Sequence, residues 1–114
     1  MTIEELIKES HQTALDKGWW DKKVFGEERP VGDQFSNFHA EISEAWEEYR
    51  NGHKWDEIYY SEKGKPEGIA VELADCLIRI FDSCGQYNIP LEKALQEKLE
   101  YNKTRPIRHG NKKA

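Results

Sequence analysis

The stretch IAVELADCLIRIFD, residues 69–82, decides how this chain folds. Advancing about 100° per residue around a helix, Glu72, Asp75, Arg79 and Asp82 fall within about 80° of one another, on a single stripe. Every other position from Ile69 to Phe81 is apolar: Ile69, Ala70, Val71, Leu73, Ala74, Cys76, Leu77, Ile78, Ile80 and Phe81. A helix apolar around most of its circumference is a buried helix. Glu72 and Asp75 thus stand one turn apart on an element expected to be core. An uncompensated carboxylate in such a place costs on the order of several kcal/mol, unless its pKa moves or a cation joins it. Arg79 can compensate Asp75 as an i, i+4 pair. It cannot serve three acids, so this face lacks positive charge.

Working outward, this helix is expected from about Pro66, acceptable in a first turn, to about Tyr87, with Asn88 and Pro90 as breakers. Ile3, Leu6, Ile7, Ala14 and Leu15 recur at helical spacing, which predicts a first helix over residues 2–17, ending at Gly18. A loop with Trp19, Trp20, Gly26, Pro30 and Gly32 follows. Asp33 is the expected N-cap of a second helix, whose apolar positions Phe35, Phe38, Ile42, Ala45, Trp46 and Tyr49 run to Gly52. Residues 52–66 form a loop with room for a short turn of helix. A fourth helix is expected from Leu91 to Lys103, and Pro106 and Gly110 mark an irregular tail. No segment alternates with period two, so no strand is expected. The fold class is all-α: a four-helix bundle-like domain of antiparallel helices with short loops and an irregular basic C-terminal tail.

With 114 residues, the chain has material for one core, so residues 1–114 form a single domain. The core is lean, since charged residues make up 34% of the chain, and a homodimer or homotetramer is the expected way to complete it. No apolar run reaches the roughly 18 residues a membrane span needs. The start Met1-Thr-Ile-Glu-Glu lacks the basic and apolar stretches of a signal peptide, so the expected location is the cytoplasm. Cys76 and Cys84 lie about 12 Å apart along one helix, beyond the roughly 7 Å a disulfide allows, and are expected as small buried hydrophobes. Net charge is −5, and from Lys98 onward Lys98, Lys103, Arg105, Arg108, Lys112 and Lys113 stand against the single acid Glu100; the negative overall charge disfavours nucleic acid as a partner.

The second helix carries a matching stripe. Asn37, Glu41, Glu44 and Glu48 cluster within about 60° of one another at the edge of its apolar face. Packed antiparallel, the second and third helices can point Glu41, Glu44, Glu72 and Asp75 into one cleft. Four converging carboxylates without a matching base suit a hard, oxygen-seeking cation. Mg2+ fits best, with Mn2+ as the second choice. His11 and His39 have no second histidine or cysteine at ligand spacing and are expected to be structural or surface residues.

With Glu41-Ile-Ser-Glu44, then Glu72-Leu-Ala-Asp75, then Lys98-x-x-x-Asn102-x-x-Arg105-Pro106 and His109-Gly110-x-Lys112, the chain resembles the MazG-like branch of the all-α nucleoside triphosphate pyrophosphatase superfamily. The resemblance covers about residues 35 to 112. Some members of that family place a further Glu directly after the first motif, where this chain has Ala45. Glu48, one turn on, is the candidate substitute. The resemblance implies Mg2+-dependent hydrolysis of a ribo- or deoxynucleoside triphosphate to the monophosphate and pyrophosphate. It implies metal ligands Glu41, Glu44, Glu72 and Asp75, with Glu41 or Glu44 also acting on the attacking water. Lys98, Asn102 and Arg105 share one face of the fourth helix and would bind substrate phosphate or sugar. Trp19, Trp20, Phe35, Trp46 and Trp55 are candidates to stack on the base, and Asn37 or Gln34 to read its edge. Two alternatives stand beside this reading: a relative restricted to dUTP, dCTP or phosphoribosyl-ATP, and a non-enzymatic helical interaction module.

Overall fold

Thr2 opens the first helix with a reciprocal cap. Its hydroxyl accepts the Glu5 N–H at 3.0 Å, while the Glu5 carboxylate accepts the Thr2 N–H at 3.2 Å, so helix α1 covers Ile3–Asp16. In this computed structural model, which describes residues 1–26 and 28–114, a one-turn helix α2 (Lys22–Phe25) follows, capped by the Asp21 carboxylate. Helix α3 covers Val31–Arg50 and starts earlier than its sequence suggests. The Pro30 carbonyl already accepts the Gln34 N–H at 3.4 Å, so Asp33 lies inside the first turn and is not the N-cap. There its charge still favours the positive end of the helix.

The loop after α3 contains two very short strands, β1 (Tyr59–Tyr60) and β2 (Pro66–Glu67), paired antiparallel with Tyr59 opposite Glu67. Pro66 therefore belongs to this ladder and not to the first turn of the next helix. A ladder two residues long shows no alternation that a sequence pattern could reveal. Gly68 then turns the chain at φ 129°, where a Cβ would lie 2.5 Å from the Glu57 carbonyl oxygen, so only glycine fits. Helix α4 begins directly after it and covers Ile69–Tyr87, ending at Asn88 in the left-handed conformation. Helix α5 covers Leu91–Lys103, and a distorted turn α6 covers Arg108–Asn111.

Both α1 and α3 pack on α4, whereas α5 touches α1 only lightly. The core lies where the three helices meet: Ala14, Ala45, Ile69, Cys76, Phe81 and Cys84 are buried, and both cysteines are free. Gly85 lets α1 come close, since a Cβ there would sit 2.5 Å from His11 Cβ. Helices α3 and α4 run antiparallel. Gln34 near the start of α3 bonds Ser83 and Tyr87 near the end of α4, and Glu41 further along α3 bonds Arg79.

The chain is mostly helical, but α4 is not buried all round. Leu73, Leu77 and Ile78 are exposed, Leu77 by 50%, and α3 exposes Phe35, Ile42, Trp46 and Tyr49. With α5 only lightly in contact with the other helices, these faces stay exposed among the described residues. The radius of gyration of 17.0 Å reflects this, against about 13 Å for a compact domain of this length. Among the described residues, no helix is long and apolar enough to cross a membrane.

Candidate functional site

A cleft of about 770 Å³ opens along the α3–α4 pair, walled on one side by α1. The two acid stripes reach it from opposite helices. Glu41, Glu72 and Asp75 each present a carboxylate oxygen within 4.8 Å of the others. Glu44 lines the same cleft beside this trio. Glu41 is buried, and Arg79 Nε donates to its Oε1 at 2.6 Å. Arg79 thus bonds Glu41 across the helix pair, and not Asp75 on its own helix as the spacing suggests. A long guanidinium reaches the buried acid opposite in preference to a half-buried neighbour.

That one arginine leaves the site negative, and the pKa values of the acids shift accordingly. Desolvation, then the neighbouring Glu44 and Glu41, raise the Glu72 pKa from 4.5 to about 8. Desolvation and the charge of Glu41 raise Asp75, while Arg79 and Lys65 pull it partly back. Desolvation also pushes Glu41 upward, but the Arg79 hydrogen bond, with those to Glu72 and Glu44, outweighs it and the net shift is downward. Near neutral pH, then, the cluster holds a proton more readily than separate acids do, Glu72 most of all. Glu72 Oε2 is buried and meets no hydrogen-bond donor. An orphaned carboxylate oxygen, two further acid oxygens within reach and a shortage of positive charge fit a hard dication with oxygen ligands.

Glu48, the candidate substitute for the acid missing at position 45, lies outside the trio of Glu41, Glu72 and Asp75. Tyr59 Oη donates to both its oxygens at 2.9 and 2.8 Å, and His53 Nε2 lies 3.5 Å away. The bond to Glu48 pushes the Tyr59 pKa up to about 12, so the phenol keeps its proton and Glu48 keeps its donor. Ala45 itself is buried.

Of the residues expected to hold substrate, Asn37 lines the cleft, while Lys98, Asn102 and Arg105 do not. They lie on α5 and just beyond it, with Lys98 and Arg105 flanking the Tyr101 ring at 4.9 and 5.9 Å. Among the aromatic candidates, Trp19 lines the cleft. Trp46 and Trp55 sit with Tyr49 in an aromatic group elsewhere, Phe35 packs edge-on against Phe38, and Trp20 Nε1 is bound to Asp82 at 2.8 Å. His11 is structural, as expected, with Nδ1 2.8 Å from Asp82 Oδ1.

Two cleft residues escape a sequence reading. Lys65 and Arg29 both line the cleft from loops, where no periodicity marks a face. The one sequence signal for Lys65 is its place, four residues before the acid-bearing helix α4 begins. No family model, curated protein or solved structure matches this chain.

Proposed function

We propose that the chain is a Mg2+-dependent nucleoside triphosphate pyrophosphohydrolase of the MazG-like kind, active as a homo-oligomer. The observation that carries this reading is the convergence of Glu41, Glu72 and Asp75 from two antiparallel helices around a buried carboxylate oxygen with no donor. In this reading Glu41, Glu72 and Asp75, with Glu44 beside them, hold the cation. Once bound, the cation would neutralise phosphate oxygens and favour ionisation of water.

The chain's own residues do the rest. Lys65 and Arg79 stand at the acidic end and offset charge on the phosphates. Glu44, outside the tight trio, takes the proton of the attacking water. The new bond forms between the water oxygen and the α-phosphorus. The bond from that phosphorus to the bridging oxygen breaks, and pyrophosphate leaves with the electron pair. Asn37, one turn of α3 before Glu41, faces the sugar.

The exposed apolar faces of α3 and α4 support association of copies, because a face carrying Ile42, Trp46, Leu73 and Leu77 is costly to leave in water. Lys98, Asn102 and Arg105, outside the cleft of their own chain, then bind phosphate in the cleft of a neighbouring copy.

Incubation with Mg2+ and a panel of ribo- and deoxynucleoside triphosphates should release monophosphate and pyrophosphate, and Glu72→Gln should abolish the release. Orthophosphate and diphosphate as products would overturn the mechanism. No turnover of any nucleotide, with identical metal titrations for wild type and variant, would favour an interaction module. Sedimentation over a range of protein concentrations tests the association directly.

A further inference from the structure

We infer that the end of the cleft remote from the acids selects the base through Arg29, favouring a base with two adjacent hydrogen-bond acceptors, guanine or cytosine, over adenine and thymine. The inference rests on the nucleotide reading above. Gln34 precedes Glu41 by seven residues on α3, and Asp82 follows Asp75 by seven on α4. Because the helices are antiparallel, Gln34, Asp82 and Ser83 meet about 10 Å from the acids. A ribose with its first phosphate spans such a gap, which places the base at this end.

The groups found there differ in what they have left to offer. The Gln34 amide is used at both ends: Ser83 Oγ donates to its Oε1 at 2.8 Å, and its Nε2 donates to Tyr87 Oη at 2.7 Å. Each end of the Gln34 amide thus already has a partner, which holds its orientation in the cleft wall. Asp82 Oδ1 is taken by His11 Nδ1 and Trp20 Nε1, each at 2.8 Å. Arg29 is different. Its guanidinium stacks on the Trp20 ring at 4.4 Å, and its Nη1 lies 3.7 Å from Asp82 Oδ2, a charge contact longer than a hydrogen bond. Among the described residues it donates no hydrogen bond, although its side chain is only 13% exposed. The Trp20 ring and the Asp82 charge hold the guanidinium at this end of the cleft, while its N–H donors have no hydrogen-bond acceptor among the described residues.

A fork of parallel donors fits two neighbouring acceptors. Guanine offers O6 and N7, and cytosine offers O2 and N3. Adenine sets an amino donor beside N7, and thymine sets N3–H between its oxygens, so each leaves one arm of the fork unmatched.

The test uses the full chain with Mg2+ and compares kcat/KM for dGTP, dCTP, dATP, dTTP and 7-deaza-dGTP, in which a C–H replaces N7. The expected preference for dGTP and dCTP is about 10- to 100-fold, and 7-deaza-dGTP should fall towards dATP. Arg29→Lys, which keeps the charge and loses the fork, should flatten the preference, so that the kcat/KM values for dGTP and dCTP fall relative to that for dATP. The analogue needs no variant, so a poorly folding Arg29→Lys leaves the inference testable. Turnover that is equal across the bases, or a preference unchanged in Arg29→Lys, overturns this inference and leaves the hydrolytic reading standing. Turnover of no triphosphate overturns the hydrolytic reading and this one with it.

Discussion

Replacing Glu72 by glutamine should make the metal-free protein more stable, not less. In the folded chain the Glu72 pKa stands at about 8 against the ordinary 4.5, chiefly through desolvation. Below pH 4.5 the group is protonated whether folded or unfolded, and the substitution changes little. Between pH 4.5 and 8 the unfolded chain releases a proton that the folded chain retains, so wild-type stability falls as pH rises; above 8 the loss is complete. At pH 7 the full linkage would be about 3 kcal/mol at 1.36 kcal/mol per unit. Glu72 is only part-buried, and solvent screening reduces this to about 1–2 kcal/mol. Glutamine keeps the shape and has no charge to desolvate. Urea or thermal unfolding in EDTA at pH 5, 7 and 8.5 should therefore show Glu72→Gln gaining on wild type as pH rises. The gain should reach about 3–8 °C in Tm at the upper end. Mg2+ should reverse the order. It displaces the retained proton, so at 100-fold over its Kd it stabilises wild type by about 2.7 kcal/mol, with tighter binding at higher pH. The variant should lose most of that gain. A variant less stable than wild type in EDTA at pH 8.5, or one with the same response to Mg2+, would refute the reasoning.

Two further substitutions separate the site from its scaffold. Gly68→Ala puts a Cβ 2.5 Å from the Glu57 carbonyl at φ 129°, and should cost about 2–4 kcal/mol in urea unfolding by displacing the start of α4. Since α4 carries Glu72 and Asp75, Mg2+ affinity measured by calorimetry should fall as well. Tyr59→Phe removes the donor that holds both Glu48 oxygens and should lower the midpoint of urea unfolding. It should leave Mg2+ affinity unchanged, because Glu48 lies outside the acid trio; a weakened affinity would return Glu48 to the candidate ligands.

The helical class was legible because it is written in local periodicity. The threes and fours of α1, α3, α4 and α5 each mark one face of one helix, and the acids on the α3 and α4 stripes stand out against apolar neighbours. Backbone chemistry at Pro30 and Pro66 was harder to place. Pro66 is acceptable in a helical first turn or an edge ladder, and the choice fell to the pairing of Tyr60 with Pro66 and the close approach at Gly68. Exposure was also beyond local pattern: Leu73 and Leu77 have the sequence of core, yet α5 stands too far off to cover them.

By itself, then, the sequence determined which residues share a helix face and how much charge those faces carry. Tertiary structure decided what each face meets. It gave Arg79 to Glu41, gathered Glu41, Glu72 and Asp75 while leaving Glu44 beside them, bound Glu48 to Tyr59, and brought Lys65 and Arg29 in from loops. It also left Lys98, Asn102 and Arg105 away from the cleft that their spacing suits. The physical reason is one of range. Periodicity and capping act within a turn or two of chain, whereas a carboxylate's pKa, its hydrogen-bond donor and its cation are set by groups brought within a few ångströms from tens of residues away.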